Sequence, residues 1–117
     1  MTKTILVVED EPIIRMNAVA MIEDAGFVVI EASNADDAIL HLEARPEIRV
    51  IFSDIEMPGS MDGLKLIHLV RRRWPPVILI LASGRVSPLV DDMPSETVFL
   101  KKPYGQDDLL KVLASVH

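Results

Sequence analysis

The sequence predicts an α/β fold: a doubly wound, five-stranded parallel sheet with helices on both faces. Three observations carry that prediction. Short apolar runs alternate with amphipathic stretches from end to end. The runs are rich in β-branched residues and apolar on both sides, as strands covered by helices on both faces are. Strands separated by helices must also run parallel, joined by right-handed crossovers.

Each element follows in order. Ile5-Leu6-Val7-Val8 is the first strand. Pro12 suits the first turn of a helix whose apolar stripe is Ile14, Ala18, Met21, Ile22 and Ala25, and Gly26 stops it. The alternation then requires a second strand before Ser33. Ser33 and Asp36 form a capping pair for a second helix with Ala35, Ala38, Ile39 and Leu42 on its inner face, and Pro46 follows it. Val50-Ile51-Phe52-Ser53 is the third strand. A third helix runs from about Asp62 to Arg73, and Pro75-Pro76 ends it. The cluster Arg71-Arg72-Arg73 lies in its last turn, where cations complement the helix dipole. Val77-Ile78-Leu79-Ile80-Leu81 is the fourth strand. Between Arg85 and Ser95, the residues Pro88, Asp91, Asp92 and Pro94 leave room for only a short or degenerate helix. Val98-Phe99-Leu100 is the fifth strand, and Leu109, Val112, Leu113 and Val116 mark the last helix.

A chain of 117 residues, half of them apolar, is expected to form one domain over residues 1–117 with a real core. The absence of cysteine excludes disulfides, thiolate catalysis and cysteine-ligated zinc, and fits a reducing cytoplasm. The apolar stretch after Met1 is too short for a signal peptide, and no stretch is long enough to span a bilayer. A net charge of −6 argues against direct nucleic-acid binding. The expectation is a cytoplasmic protein that contacts neither membrane nor nucleic acid.

Four of the strands end in residues able to handle phosphate or metal: Glu9-Asp10-Glu11, Asp54, Ser83-Gly84, and Lys101-Lys102-Pro103. A five-stranded doubly wound sheet in the order 2-1-3-4-5 is flavodoxin-like, and such sheets bind ligands outside the carboxyl ends of their strands. The four endings then share one edge. Glu9, Asp10 and Asp54 crowd negative charge that a divalent cation would relieve, and an all-oxygen donor set selects a hard ion, Mg²⁺ or Mn²⁺. Asp54 is the better candidate for a nucleophile, since carboxylates do form acyl phosphates. Lys102 is placed to pair with Asp54, and Ser83 to hydrogen-bond a phosphoryl oxygen. Each feature also has an ordinary reading. The acidic triplet can cap the next helix, Asp54 can be a turn residue before Pro58-Gly59, and Lys102 can be a solvated loop lysine. It is the concurrence at four strand ends that favours a site.

These residues resemble the receiver domain of two-component response regulators, over the whole chain. Ile5–Pro12 resembles the family's first strand and acidic pair, with Glu9 where Asp is more usual. Asp54-Ile55-Glu56-Met57-Pro58-Gly59-Ser60-Met61-Asp62-Gly63 resembles the phosphoacceptor loop, and Phe99-Leu100-Lys101-Lys102-Pro103-Tyr104 the fifth strand with its Lys-Pro ending. The resemblance implies that Asp54 takes a phosphoryl group from a bacterial sensor histidine kinase or a histidine phosphotransfer protein. Mg²⁺ would be held by Asp10, Asp54, the backbone carbonyl of Glu56 and, through water, Glu9. Ser83 would turn toward the phosphoryl group, with Phe99 following as the switch aromatic. The Lys102-Pro103 bond would be cis. The output would be contact with a downstream protein by a monomer or weak homodimer, without substrate turnover. Helix 1 would lie near the kinase-docking face, where Ile13 and Met16 fall.

The chain departs from the family pattern in four places. The loop Pro58–Gly63 is one residue longer and the Pro75-Pro76 link is shorter, so either Ser83 or Ala82 can occupy the switch position. The Arg85–Ser95 segment replaces the usual fourth helix, which puts in question the dimerisation face built on it. Glu56 places an acid two residues after Asp54 and is expected to affect the lifetime of a phosphoryl group. Two other functions are conceivable: a phosphohydrolase of the haloacid dehalogenase-like type, for which the chain is too short, and a pseudo-receiver that binds partners without phosphorylation. His41, His68 and His117 are scattered and carry no expected role, and Trp74 is expected to pack at a helix end. The start at Met1 suggests a genuine N-terminus, while the C-terminus is open. A stand-alone relay, a phosphate sink and an excised receiver all fit.

Overall fold

The computed structural model describes residues 3–56, 62–84, 93–94 and 96–115. Its elements are β1 (Thr4–Val8), α1 (Pro12–Asp24), β2 (Val28–Ala32), α2 (Ala35–Ala44), β3 (Ile48–Asp54), α3 (Gly63–Arg73), β4 (Ile78–Ser83), β5 (Val98–Lys101) and α4 (Gln106–Ala114). The strands form one parallel sheet in the order β2-β1-β3-β4-β5. This is the doubly wound, flavodoxin-like arrangement that the alternation predicts. The expected degenerate helix between Arg85 and Ser95 lies outside the described residues, except for Met93 and Pro94.

Side-chain alternation divides the core in two. Ile5, Val7, Val50, Phe52, Ile80 and Ala82 face α1 and α4, where they meet Ala18, Ile22, Leu109 and Leu113. Leu6, Val8, Ile51, Leu79 and Leu81 face α2 and α3, where they meet Ala38, Leu42, Leu66 and Val70. The edge strand β2 is the least buried, with Val28 exposed.

Local details correct two expectations. Asn34, not Ser33, caps α2: its side chain accepts from the backbone N–H of Asp37 at 2.8 Å. Asp37 reaches back to the backbone N–H of Ser33, so the capping pair is displaced by one residue from Ser33 and Asp36. Asn and Ser cap equally well, so composition alone left the frame open. Ile14 is not in the core stripe of α1 but 41% exposed, as only Ala18 and Ile22 of that helix are fully buried. Ile14 instead lines an open cleft with Ala18, Met21, Lys102 and Tyr104. The remaining ends agree with expectation. Asp62 caps α3, the three arginines fill its last turn, and the Arg73 guanidinium lies 4.4 Å from the centre of the Trp74 ring.

The entry to α3 is a tight point. The Gly63 N–H donates to the Ile55 carbonyl at 3.0 Å. A Cβ on Gly63 would fall 1.8 Å from the backbone oxygen of Asp54. The helix therefore starts hard against the end of β3, and only a residue without a side chain fits. Gly63→Ala is expected to lower stability by about 2 kcal/mol or more, as overpacking against immobile backbone does. Urea unfolding followed by circular dichroism measures this, and a loss below about 0.5 kcal/mol would contradict the tight packing.

Candidate functional site at the carboxyl edge of the sheet

The carboxyl ends of β1, β3, β4 and β5 meet as predicted, but they share out their polar residues unevenly. The acidic triplet after β1 splits into three roles. Glu11 is the N-cap of α1, accepting from the Ile14 N–H at 2.9 Å. Glu9 is buried, and its carboxylate takes the Lys102 Nζ at 2.9 Å and the Glu11 N–H at 3.2 Å. Asp10 stays half-exposed at the mouth. The ordinary capping role and the site role thus coexist within three consecutive residues.

Asp54 ends β3 and is 5% exposed. Its Oδ1 lies 2.9 Å from the Lys102 Nζ. Among the described residues, no other donor reaches this Oδ1. Burial is the main cause that raises the Asp54 pKa to about 7; Glu9 and Glu56 push the same way and Lys102 pulls against them. Burial also works against the Lys102 ammonium, but its contacts with Glu9 and Asp54 outweigh that and raise its pKa above the ordinary value. Burial likewise raises the Tyr104 phenol. The Tyr104 ring packs edge-on against Phe52, with centroids 5.8 Å apart.

Glu9, Asp10 and Asp54 each offer a carboxylate oxygen within 4.8 Å of the others. These hard donors suit Mg²⁺ or Mn²⁺, and among the described residues the buried Oδ1 of Asp54 has no partner besides the Lys102 ammonium. The residues fit such an ion.

The register at β4 is now defined. Ala82 pairs with Asp54 across the sheet, and its side chain faces the α1–α4 core. Ser83 is the last residue of the strand and fully buried, and its hydroxyl donates to the Glu56 carboxylate. The Ser83 carbonyl accepts from the Lys102 N–H at 2.8 Å, which ties β4 to the lysine-bearing end of β5. Phe99 is partly buried against the α2–α3 core, next to Leu81 in the register. The Lys102-Pro103 bond is cis. The loop residues from Met57 to Met61 lie outside the described residues, as does His117.

Sequence reasoning missed two residues that shape the site. Arg15 on α1 donates from Nη1 to the Glu9 carbonyl at 2.8 Å and from Nε to Glu31 on β2 at 3.1 Å, clamping the acidic turn. A lone arginine on a helix gave no signal for this. Gly63 was legible only as part of a motif, since its necessity is a clash distance.

The fold and this site together define a doubly wound α/β domain with a carboxylate–lysine pocket at its carboxyl edge. The family model of the response regulator receiver domain matches residues 5–114, and the chain belongs to that family. It is 34% identical over 96% of its length to the nitrogen assimilation regulatory protein NtrX of Azorhizobium caulinodans, of which it covers 25%. It is also 32% identical over 91% of its length to the sensor kinase CckA of Brucella abortus, of which it covers 12%. The chain thus spans a quarter or less of the length of these relatives. Among solved structures, the receiver domain of NtrX from Brucella abortus superposes with a TM-score of 0.83 at 29% identity, covering 95% of both chains. The chemotaxis protein CheY4 of Vibrio cholerae superposes with a TM-score of 0.85 at 28% identity over the whole of both chains. Receiver domains are signalling domains rather than turnover enzymes, which leaves the phosphohydrolase alternative without support. They bind Mg²⁺ at an acidic pocket, and Glu9, Asp10 and Asp54 form an acidic cluster of that kind. Among the described residues, no helix is long and apolar enough to cross a membrane.

The raised Asp54 pKa has a consequence for stability. The unfolded carboxyl titrates near 3.8 and the folded one near 7, so between these values the folded chain binds more protons. Stability contributed by the neutral carboxyl is complete below the lower value and is lost as pH rises through the higher. Without divalent cations, Asp54→Asn is therefore expected to be more stable than the wild type by about 2 kcal/mol at pH 8, with the difference vanishing near pH 4. Thermal unfolding across pH measures this. A variant that is less stable at pH 8 would show that Asp54 is not held near neutrality.

Proposed function

We propose that this chain is one phosphoacceptor domain, taking a phosphoryl group onto Asp54 from a phosphohistidine on a sensor kinase or a phosphotransfer protein. The observation that carries the reading is the buried Asp54 carboxylate, with an ammonium 2.9 Å away and two further carboxylates close by. A structural aspartate has no need of such surroundings.

In the reaction, an Asp54 carboxylate oxygen attacks phosphorus as the N–P bond of phosphohistidine breaks. The departing imidazole nitrogen keeps the bonding pair and takes a proton from solvent. The new mixed anhydride brings about −1.5 to −2 of charge into an already acidic pocket. Asp10, Asp54, the Glu56 carbonyl and, through water, Glu9 would hold Mg²⁺, which would supply neutralising charge at the phosphoryl oxygens. Lys102 is within reach of Asp54 and can move its ammonium from the carboxylate to a phosphoryl oxygen. Ser83, whose hydroxyl donates to Glu56 at the neighbouring strand end, would turn to a phosphoryl oxygen, and Phe99 beside Leu81 is the aromatic ring that would respond to it. The readout is a changed protein-contact surface on a monomer or weak homodimer in the cytoplasm.

Incubation with Mg²⁺ and acetyl phosphate is expected to give an adduct of roughly 80 Da, one phosphoryl group on a carboxylate. Asp54→Asn should lack it, and an adduct that survives this change would sink the assignment. Without a phosphodonor, millimolar Mg²⁺ is expected to raise the unfolding temperature of the wild type by several degrees, by mass action on the folded state. Chelation should reverse the gain, and Asp10→Asn should lose most of it. An equal gain in Asp10→Asn would remove Asp10 from the cation site.

A further inference from the structure

The Glu56 side chain at this edge belongs to neither the carboxylate cluster, the lysine contacts nor a helix cap described above. It follows the end of β3 by two residues and is half-buried. Its carboxylate accepts the Ser83 hydroxyl from the end of β4. It also lies within hydrogen-bond reach of Asp54, where it is one of the groups that raise the Asp54 pKa. The side chain thus spans the space between the proposed nucleophile and the proposed switch hydroxyl.

That space lies beyond two neighbouring strand ends. β3 and β4 are adjacent parallel strands, with Asp54 opposite Ala82 and Ser83 one residue beyond. Adjacent strands lie about 4.8 Å apart, so groups reaching out from these two ends meet in one narrow gap. A phosphoryl group on Asp54 would need that same gap and would use the same hydroxyl as a donor. A carboxylate is a fair imitation of it, with negative oxygens that accept charge-assisted hydrogen bonds.

We propose that the Glu56 side chain is a resident stand-in for the phosphoryl group, filling the gap between Asp54 and Ser83 and engaging the Ser83 hydroxyl before phosphorylation. This rests on the phosphoacceptor reading above. Transfer to Asp54 then requires the carboxylate to leave, which costs a charge-assisted hydrogen bond and brings two anions past each other. The Ser83 hydroxyl is already turned inward in the unphosphorylated protein. Phosphorylation exchanges one acceptor for another instead of recruiting a hydroxyl that points elsewhere. Glu56 is here a positioning and gating residue, not a catalytic one.

The test compares rates of adduct formation with acetyl phosphate and Mg²⁺ in the wild type, Glu56→Gln and Glu56→Ala, with folding checked by circular dichroism. Glu56→Ala is expected to accelerate phosphorylation at least about fivefold, as removal of a competing charged hydrogen bond should. Glu56→Gln keeps the bulk and loses the charge, so it should fall between. Ser83→Ala supplies the readout that simple electrostatic relief would not move. It should slow phosphorylation more in the Glu56→Ala background than in the wild type, because only there is the hydroxyl at once available to the incoming group. Equal rates in wild type and Glu56→Ala, a slower Glu56→Ala, or strictly additive effects of the two substitutions would each overturn the proposal while leaving Asp54 as acceptor. No adduct on any of these proteins would instead bring down the phosphoacceptor reading, and this inference with it.

Discussion

Two carboxylates, Glu9 and Asp54, are buried at neighbouring strand ends, and one ammonium lies 2.9 Å from each. Withdrawing each such ion from water costs several kcal/mol, and the mutual attraction of the triad must offset most of that. One cation cannot fully serve two anions. Burial above all, with Glu9 adding to it, leaves the Asp54 pKa raised. The pocket is therefore poised: it tolerates a proton, a divalent cation or a rearranged ammonium, and each relieves the same excess of negative charge.

Much of the surrounding structure serves to hold these three groups in place. β1 and β3 are central strands, buried almost throughout, and fix Glu9 and Asp54 at one level. Lys102 arrives from beyond the end of β5, anchored by its N–H on the Ser83 carbonyl. Arg15 pins the backbone at Glu9 from the α1 side, and Gly63 lets α3 begin against the backbone of Asp54. Preorganisation of this kind places the energetic cost in folding, so the site need not reorganise when charge arrives.

The parts of the fold legible in the sequence were those that local pattern controls. The strand runs, the proline and glycine stops, the Asp62 cap and the edge shared by the four endings follow from periodicity and turn chemistry. Misreadings occurred where a choice between neighbours depended on frame. Asn34 and Ser33 are equally good caps, and the backbone path between β2 and α2 selected one. Ser83 and Ala82 were both admissible from the sequence, and the β3–β4 register adds that Ala82 stands opposite Asp54 with Ser83 one residue beyond. Ile14 fits a helical stripe, but whether a stripe is covered depends on what the tertiary fold packs against it.

The sequence by itself determined the order of elements, the parallel sheet, and the set of residues that handle charge at its carboxyl edge. Each of these follows from spacing within a few turns or one strand. Only the tertiary structure decided how that set is divided: Glu11 to the helix cap, Glu9 to Lys102, Glu56 to Ser83, and Asp10 to the mouth. Lys102 and Glu9 are 93 residues apart, and Ser83 and Glu56 are 27 apart. Partners so distant in the chain are chosen by strand register and by competition for a few buried donors, and neither is written in any local pattern.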